Sequence, residues 1–260
     1  MWITIFEEDD EAFRIWTEEV GVAPERVQRM GAKDNFWSMG PVGPCGPCSE
    51  IHWDHGPSIS QEEGGPATED DRYVEIWNLV FMQYEQHEDG TRTELPRPSI
   101  DTGMGLERVA AILQGAYSNY DTDCFQSVLE KAAELAGRTY GEDPEADVSM
   151  RVIADHSRAT AFLIADGIMP SNEERGYVLR RIMRRAIRYG VKMGLKEPFL
   201  YQTANAVIDL MGEAYPELVE RRGFIEEVVR GEEERFAETL EKGLQILEEA
   251  LESSQGKLAG

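Results

Sequence analysis

The periodicity of apolar residues changes about half-way along the chain, and this change constrains the fold more than any other sequence feature. Before residue 120, runs of β-branched and aromatic residues such as WITIF (2–6) and RYVEIWNLVFMQYEQ (72–86) predict strands. From Met150 onward, apolar residues recur almost throughout at the spacing of a helix. The sequence therefore predicts an α+β fold, in which a mixed α/β part (1–139) precedes an all-α part (140–260).

Shorter segments are assigned in the same way. EEDDEAFRIWTEEVG (7–21), APERVQRMG (23–31) and LERVAAIL (106–113) predict helices, and EIHWDHG (50–56) predicts a strand. GTRTELPRPSIDTGMG (90–105) is rich in turn residues and is not assigned a strand. Near the end, apolar residues line one helix face, which we expect to dock on its own bundle rather than form a free coiled coil. They are Phe236, Leu240, Leu244, Leu247 and Leu251.

Composition excludes several classes of protein. No apolar run approaches the ~20 residues that span a bilayer, and the acidic start MWITIFEEDD does not resemble a signal peptide. Three cysteines are too few for a disulfide framework, so we expect a cytoplasmic protein with no membrane partner. The net charge of −24 argues against a nucleic-acid partner unless basic residues are concentrated on one surface.

Four residues of metal-ligating type lie close together in GPVGPCGPCSEIHWDHG (40–56), where Cys45, Cys48, His52 and His55 have the pattern C-x2-C-x3-H-x2-H. A zinc site and a redox pair are both conceivable. However, the two histidines lie at i and i+3 of a predicted strand and so point to opposite faces. The histidine spacing is also shorter than in common zinc fingers, and no thioredoxin-like βαβ unit surrounds the cysteines. We expect no zinc here and interpret the cysteines as packing residues in a Gly-Pro loop before a strand that begins at Ser49.

DTGMGLERVA (101–110) is the strongest local pattern, because two glycines immediately precede a helix that carries an arginine in its first turn. Glycines allow the backbone to approach a ligand closely, and arginine can stack on a base or pair with phosphate. By itself a G-x-G pattern is equally compatible with a tight turn. The whole string, in which residues 103–108 read G-x-G-x-E-R, nevertheless resembles motif 3 of class II aminoacyl-tRNA synthetases.

Longer strings resemble one branch of that class, the alanyl-tRNA synthetases, and occur in the order of that family. They are NFWSMGPVGPCGPCSEIHWDHGP, EIWNLVFMQY, SIDTGMGLERVAAILQG, VIADHSRATAFLIADGIMPSNEERGYVLRRIMRRAIRYG and EERFAETLEKGLQILEEAL. The resemblance implies a partial class II antiparallel sheet with helices, followed by a helical tRNA-recognition domain. It also implies ATP-dependent activation of alanine, with Mg²⁺, and its transfer to tRNA-Ala.

The resemblance assigns an alanine site to five residues. Asp101 would bind the α-ammonium group, for which a carboxylate is the natural partner. Gly103 would line the small side-chain pocket, Asn78 and Val80 would hold and shape the amino acid, and Trp37 would form another wall. Plain core packing remains the alternative for Trp37 and Val80.

The resemblance also assigns an ATP site. Arg108 would stack on the adenine, Gly105 would allow close approach of the nucleotide, and Glu75 is a weaker candidate for Mg²⁺ or ATP. No residue is assigned a direct catalytic role.

A basic stripe in RGYVLRRIMRRAIRYGVK (175–192) is the second candidate site. Its members share one helix face and are Arg181, Arg184, Arg185, Arg188 and Lys192. From charge alone, a phosphate-binding surface and a solvated face paired with nearby acids are equally compatible with it. The resemblance implies that this region binds the acceptor stem of tRNA-Ala, and that Asn172 reads its G·U wobble pair from the minor groove.

The sequence also departs from the family pattern. Motif 3 is present, but motifs 1 and 2, the editing domain and the C-terminal oligomerisation region are not found in these 260 residues. We therefore expect a fragment of the family architecture that activates alanine weakly on its own. A non-catalytic acceptor-stem-binding module and a regulatory paralogue that binds alanine or a nucleotide are the alternatives. Exposed sheet edges could also promote self-association.

Overall fold

Two compact units make up the chain in the computed structural model, which describes residues 1–253 except for the side chains at positions 244, 252 and 253. The first unit is Met1–Asn119, and the second begins at Tyr120. The sequence places the boundary later, at 139/140. Helix Gln126–Ala136, which that boundary assigns to the first part, lies in the second unit, where Val128 and Leu129 are buried in the helical core.

A six-stranded sheet forms the first unit. Its strands are β1 (Trp2–Phe6), β2 (Val27–Met30), β3 (Phe36–Ser38), β4 (Gly43–Asp54), β5 (Tyr73–Gln86) and β6 (Arg92–Met104). The order is β2-β1-β4-β5-β6, with β3 also paired to β4. All pairs are antiparallel except β1 with β2, so the sheet is mixed rather than wholly antiparallel. The predicted α+β class is confirmed.

Short helices accompany the sheet. They are α1 (Asp10–Arg14), which continues as a π-helical turn (Ile15–Glu19), α2 (Ala32–Asn35) and α3 (Leu106–Gln114). Ile3, Ile5, Ala12 and Val27 form a small core between the sheet and the α1 segment. The helix predicted over 23–31 is wrong, because only Pro24–Arg26 forms a 3₁₀ turn and Val27–Met30 pairs with β1 as a strand.

The segment predicted to be turn-rich, 90–105, is also different, since most of it forms β6. This strand lies at the edge of the sheet, where a proline costs no hydrogen bond on the side that faces away from the neighbouring strand. Pro96 and Pro98 fall in a register shift: Met82 pairs with Ser99 and Tyr84 with Glu94, so the residues between Glu94 and Ser99 form no regular pairs.

The Gly-Pro stretch is predicted to be a loop before Ser49, but from Gly43 onward it is part of β4. The close approach of β4 to β5 explains one of its glycines. A Cβ atom on Gly46 would lie 1.9 Å from the carbonyl oxygen of Phe81, a separation that no side chain can adopt. Gly46 lies in the register shift between Cys45 and Cys48, where the two strands lose regular pairing.

The second unit consists of helices in its described part. They are α4 (Gln126–Ala136), α5 (Pro144–Ala165), α6 (Glu174–Lys192), α7 (Leu200–Met211), α8 (Pro216–Glu220) and α9 (Arg222–Ser253). Apolar residues of α6 fill the core as the helical pattern predicts, with Leu179, Met183 and Ala186 fully buried. Among residues 1–253, no helix combines the length and the apolar character that a membrane span requires.

Helix α9 docks on this core through its first half. Ile225 and Val229 are fully buried, and Phe236 packs against the same cluster. Farther along, Leu247 and Leu251 are 50% and 38% exposed. The predicted apolar face therefore packs against the bundle at its start and becomes exposed towards its end; the side chain of Leu244 lies outside the described atoms.

Candidate functional site

Strands β5 and β6 bring four of the predicted alanine-site residues onto one face of the sheet. Asn78 pairs with Gly103, and Val80 pairs with Asp101. Residues two apart on a strand point to the same side, so all four share a face. Trp37 of β3 joins them around a cavity of about 240 Å³, which Thr102 also lines. The structure thus brings together all five residues of the predicted alanine site.

The walls of this cavity differ in character. Val80 is 9% exposed and belongs partly to the packed interior, whereas Trp37 is 38% exposed. Asp101 and Gly103 are exposed on the edge strand. The cavity therefore has an apolar floor and a carboxylate at its open side, which suits a small ligand with a cationic group.

Asn78 is fixed by a polar network that the sequence does not reveal. Its Nδ2 donates to Oε1 of Glu50 at 3.0 Å. The other oxygen of that carboxylate lies 3.2 Å from both the hydroxyl of Thr4 and Nε2 of His52. Asn78 Oδ1 is buried and has no hydrogen-bond partner among the described residues. The amide is thus held through its nitrogen, whereas its oxygen is a buried acceptor without a partner among the described residues.

Buried Asn35 extends this network. Its Nδ2 donates to the Thr4 hydroxyl and to the carbonyl oxygen of Cys48, both at 3.1 Å. A pattern that could have indicated the network is the pair of polar residues Glu50 and His52, two apart within an otherwise buried strand. Their partner residues lie far away in the sequence, so only the strand register brings the group together.

The predicted ATP residues meet where β6 leads into α3. Arg108 Nη1 donates to the carbonyl oxygen of Glu75 at 2.6 Å and approaches its carboxylate at 3.4 Å. The backbone N–H of Gly105 donates to the carbonyl oxygen of Ile76 at 3.0 Å. A Cβ on Gly105 would lie 3.1 Å from the Arg108 side chain, so glycine leaves room for the guanidinium to cross the strand end.

The four residues of the possible zinc pattern have separate environments. Cys45 and Cys48 are buried free thiols, and burial raises the pKa of Cys48 to about 12. His52 contacts Glu50, whereas the ring of His55 packs edge-on against Tyr117 at 5.1 Å, and burial lowers its pKa. Within residues 1–253, no group of three or more histidine, cysteine or acidic side chains is arranged to hold a metal ion.

The predicted basic stripe on α6 divides into two sets. Arg181, Arg185 and Arg188 are exposed. Arg184 instead turns towards α9, where Nε donates to Oε1 of Glu232 at 3.0 Å. Lys192, at the end of the predicted stripe, forms an ion pair with Glu145 at 2.5 Å. Arg181, Arg185 and Arg188 therefore form an exposed set of three arginines, spaced i, i+4 and i+7 on α6.

Asn172 lies just before α6 and is exposed. Its Oδ1 accepts a hydrogen bond from Nη1 of Arg180, two turns further along the chain. Sequence reasoning singled out Asn172 but missed Arg180 and Glu232. The arginine is one of several in the helix, and the glutamate lies in a strongly acidic segment.

Comparison with known proteins gives consistent results. All of the chain, residues 1–260, matches the family model described as tRNA synthetases class II (A). The alanine–tRNA ligase of Methylococcus capsulatus is 60% identical over 252 residues, which cover 96% of this chain and 29% of the relative. The alanine–tRNA ligases of Hydrogenovibrio crunogenus and Thermotoga maritima are 57% and 53% identical, each over 99% of this chain and 30% of the relative. The chain thus spans about 30% of the length of these relatives.

Proposed function

Because the chain belongs to the class II tRNA synthetase (A) family, we propose that it supplies the alanine-binding and acceptor-stem-binding parts of an alanine–tRNA ligase. Such an enzyme uses ATP to activate alanine and then transfers it to tRNA-Ala. The first unit would hold alanine and ATP, and the helical unit would bind the tRNA.

The cavity at β5 and β6 carries the proposal. Its volume of about 240 Å³ lies below the range of ~300–1,000 Å³ that is typical of larger ligands. The Asp101 carboxylate provides an acceptor for an ammonium group, and the Asn78 amide lines the same cavity. Val80 and Gly103 leave space for a methyl side chain, and Trp37 closes one wall. This combination selects a small amino acid.

ATP would bind beside this cavity, next to Arg108. The guanidinium is held at one end by Glu75, and the Arg108 side chain is 44% exposed, which leaves it accessible for stacking on a base. Mg²⁺ usually binds through one or two carboxylates together with substrate phosphates, and the half-exposed carboxylate of Glu75 fits that type of site. When bound, the ion would neutralise phosphate charge.

Binding of alanine tests the proposal directly. Ligand-detected NMR on the 260-residue chain should show alanine binding in competition with glycine and serine, and the Asp101→Asn substitution should abolish it because the ammonium loses its ionic partner. The matched control is Glu88→Gln, which neutralises an exposed carboxylate in the β5–β6 hairpin. Undiminished alanine binding by the Asp101→Asn protein would exclude this cavity as the amino-acid site.

A second function, RNA binding without catalysis, is favoured by the exposed arginines of α6. In a chain of net charge −24, three exposed guanidinium groups on one helix face form a local site for phosphates. We propose that Arg181, Arg185 and Arg188 contact the acceptor stem and that Asn172 reads the wobble pair. An acceptor-stem minihelix should bind with strong salt dependence; binding that is insensitive to salt would contradict phosphate contacts.

Two further predictions belong with this function. The exposed edge strand β6 offers unpaired backbone groups, so self-association remains a proposal that sedimentation analysis would test. The cytoplasmic location likewise remains a proposal, supported by the proposed tRNA substrate and by the expectation of free rather than disulfide-bonded cysteines.

A further inference from the structure

One carboxylate of the helical unit is completely buried and surrounded by arginines. Glu232 of α9 has no exposed surface. Its two oxygens lie 3.0 to 3.3 Å from the guanidinium groups of Arg180, Arg184 and Arg235. Three cations around one buried anion satisfy that anion and also fix the position of each guanidinium that contacts it.

Arg180 connects this buried carboxylate to Asn172. Its Nη2 donates to Oε2 of Glu232 at 3.3 Å and lies 3.4 Å from the carbonyl oxygen of Pro170. Its Nη1 donates to Oδ1 of Asn172. The planar, five-donor guanidinium can make these contacts at the same time, whereas an ammonium group has no fixed fork. The Asn172 amide is therefore held by its oxygen, and its N–H₂ group is left for other partners.

The segment that carries Asn172 is itself fastened to the first turn of α6. The backbone N–H of Ser171 donates to the carbonyl oxygen of Gly176 at 3.1 Å. A Cβ atom on Gly176 would lie 2.3 Å from the Ser171 hydroxyl and 2.4 Å from the carbonyl oxygen of Met169, so glycine is required for this approach. Both the backbone and the side chain of an exposed residue are thus fixed before any ligand binds.

We propose that Arg180 and Glu232 are positioning residues for RNA recognition, which hold the Asn172 amide in the orientation that reads a base pair in the minor groove. The inference rests on the proposed function, in which Asn172 contacts the acceptor stem. An exposed asparagine normally samples several rotamers, and fixing one in advance reduces the entropy lost on binding. Arg180 acts through Asn172 and not on phosphate, because its side chain is only 18% exposed and its guanidinium is already engaged with Asn172 and Glu232.

Discrimination between two minihelices tests this role. Affinity is measured for an acceptor stem with the G·U pair and for one with G·C at the same position, at one salt concentration. Asn172→Ala should lower the affinity ratio about tenfold, the size expected for loss of a base-edge contact. Arg180→Lys and Glu232→Gln should each lower the ratio at least about threefold, since the amide is still present but no longer fixed. Arg180→Lys retains the charge, so the salt dependence should stay the same.

A matched control separates positioning from general electrostatics. Arg188→Met removes an exposed guanidinium from the same helix, and it should weaken binding to both stems equally without changing the ratio. In the Asn172→Ala background, Arg180→Lys should have no further effect on the ratio, because Arg180 acts only through the asparagine. A further loss in that background would show that Arg180 contacts RNA directly and would overturn the proposal.

Failure of the inference can be distinguished from failure of the proposed function. If Asn172→Ala leaves the ratio unchanged, or no stem binds, the proposed function fails and this inference with it. If Asn172→Ala lowers the ratio but neither the Arg180 nor the Glu232 variant does, only the positioning role is overturned. If Glu232→Gln fails to fold, as judged by circular dichroism, the conservative Arg180→Lys variant decides the question.

Nuclear magnetic resonance gives an RNA-free readout. The side-chain amide pair of Asn172, assigned by its loss in Asn172→Ala, should resonate away from the positions of mobile amides. Arg180→Lys should shift it to the values of freely rotating side chains. An Asn172 amide that already resonates at those values in the unmodified chain would contradict fixation by Arg180.

Discussion

Replacing Glu233 by glutamine should make the helical unit more stable at neutral pH relative to the unmodified protein, although Glu233 forms three native hydrogen bonds. The side chain reaches from α9 to the first turn of α7 and is 3% exposed. Its oxygens accept the backbone N–H groups of Phe199 at 2.9 Å and Leu200 at 3.1 and 3.2 Å. Helix α7 has no capping side chain of its own at Phe199, so the buried carboxyl performs that role.

Burial is the main reason why the pKa of Glu233 rises from 4.5 to about 7, and the two backbone donors offset only part of it. A raised pKa means that the folded state binds the proton more tightly than the unfolded chain. The contribution of protonated Glu233 to the free energy of unfolding is therefore fully present below pH 4.5 and is lost as pH rises to about 7. At about 1.36 kcal/mol per pH unit, the loss amounts to about 3 kcal/mol.

Glutamine retains an acceptor for the two N–H groups but does not titrate. The difference in free energy of unfolding, Glu233→Gln minus unmodified, should therefore rise by about 3 kcal/mol between pH 4.5 and pH 8. Urea titrations followed by circular dichroism at 222 nm would report the helices. All five tryptophans lie in residues 1–119, so their fluorescence reports the first unit and should not change. Glu238→Gln, an exposed change one turn along α9, is the control.

Two results would refute this reasoning. If the difference in free energy of unfolding between the two proteins stays constant within about 0.5 kcal/mol across the pH range, the pKa of the Glu233 carboxyl lies near its ordinary value. A difference that falls as pH rises would show that the ionised carboxylate gains more from the α7 N-terminus than it loses by burial, which reverses the sign of the argument.

Three further predictions concern the sheet, the chemistry and the RNA surface. Gly46→Ala should destabilise the first unit by about 1–3 kcal/mol, measured by tryptophan fluorescence, because its Cβ would lie 1.9 Å from the carbonyl oxygen of Phe81; a neutral effect would contradict that close approach. The 260-residue polypeptide should support only slow alanine-dependent pyrophosphate exchange, since no motif 2 arginine occurs in it to stabilise charge at the α-phosphate; rates near those of complete synthetases would overturn this. Arg185→Ala should reduce the slope of log affinity for the minihelix against log salt concentration by about 1, without changing the stability of the protein. Arg184→Ala should instead lower the stability, because it removes a partner of buried Glu232. Equal stabilities of the two variants would argue against the ion cluster around Glu232.

Motif strings predicted four residues of the proposed alanine site, because these four come from two sequence-local segments that form neighbouring strands. Asn78 and Val80 share one segment, and Asp101 and Gly103 share the other. The register that places them opposite one another is a tertiary property. The sequence did not predict the strand formed by 92–104, because it contains two prolines, and prolines are unfavourable in strands except at the edge of a sheet. The sequence does not show which strand lies at the edge.

The partners in the network around Asn78 could not be predicted from the sequence. Glu50 contacts Asn78 across 28 positions and Thr4 across 46 positions of the chain. Its strand reads in sequence as a Gly-Pro loop followed by a short alternating run. Only the packing of β1 and β5 on either side of β4 makes a largely buried carboxylate favourable there, because both neighbours supply hydrogen-bond donors.

Two adjacent glutamates of α9 contribute less to the surface charge than their sequence suggests. Glu232 and Glu233 look in sequence like two more charges of a solvated acidic helix, yet both are buried. Glu232 is compensated by guanidinium groups of Arg180, Arg184 and Arg235, and Glu233 by backbone donors and a raised pKa. Neither carboxylate faces solvent, so neither repels a phosphate that approaches α6 as an exposed acid would. The net charge of −24 therefore overstates the repulsion at this surface. The same argument predicts that acids introduced at exposed α6 positions, unlike these buried ones, would weaken RNA binding.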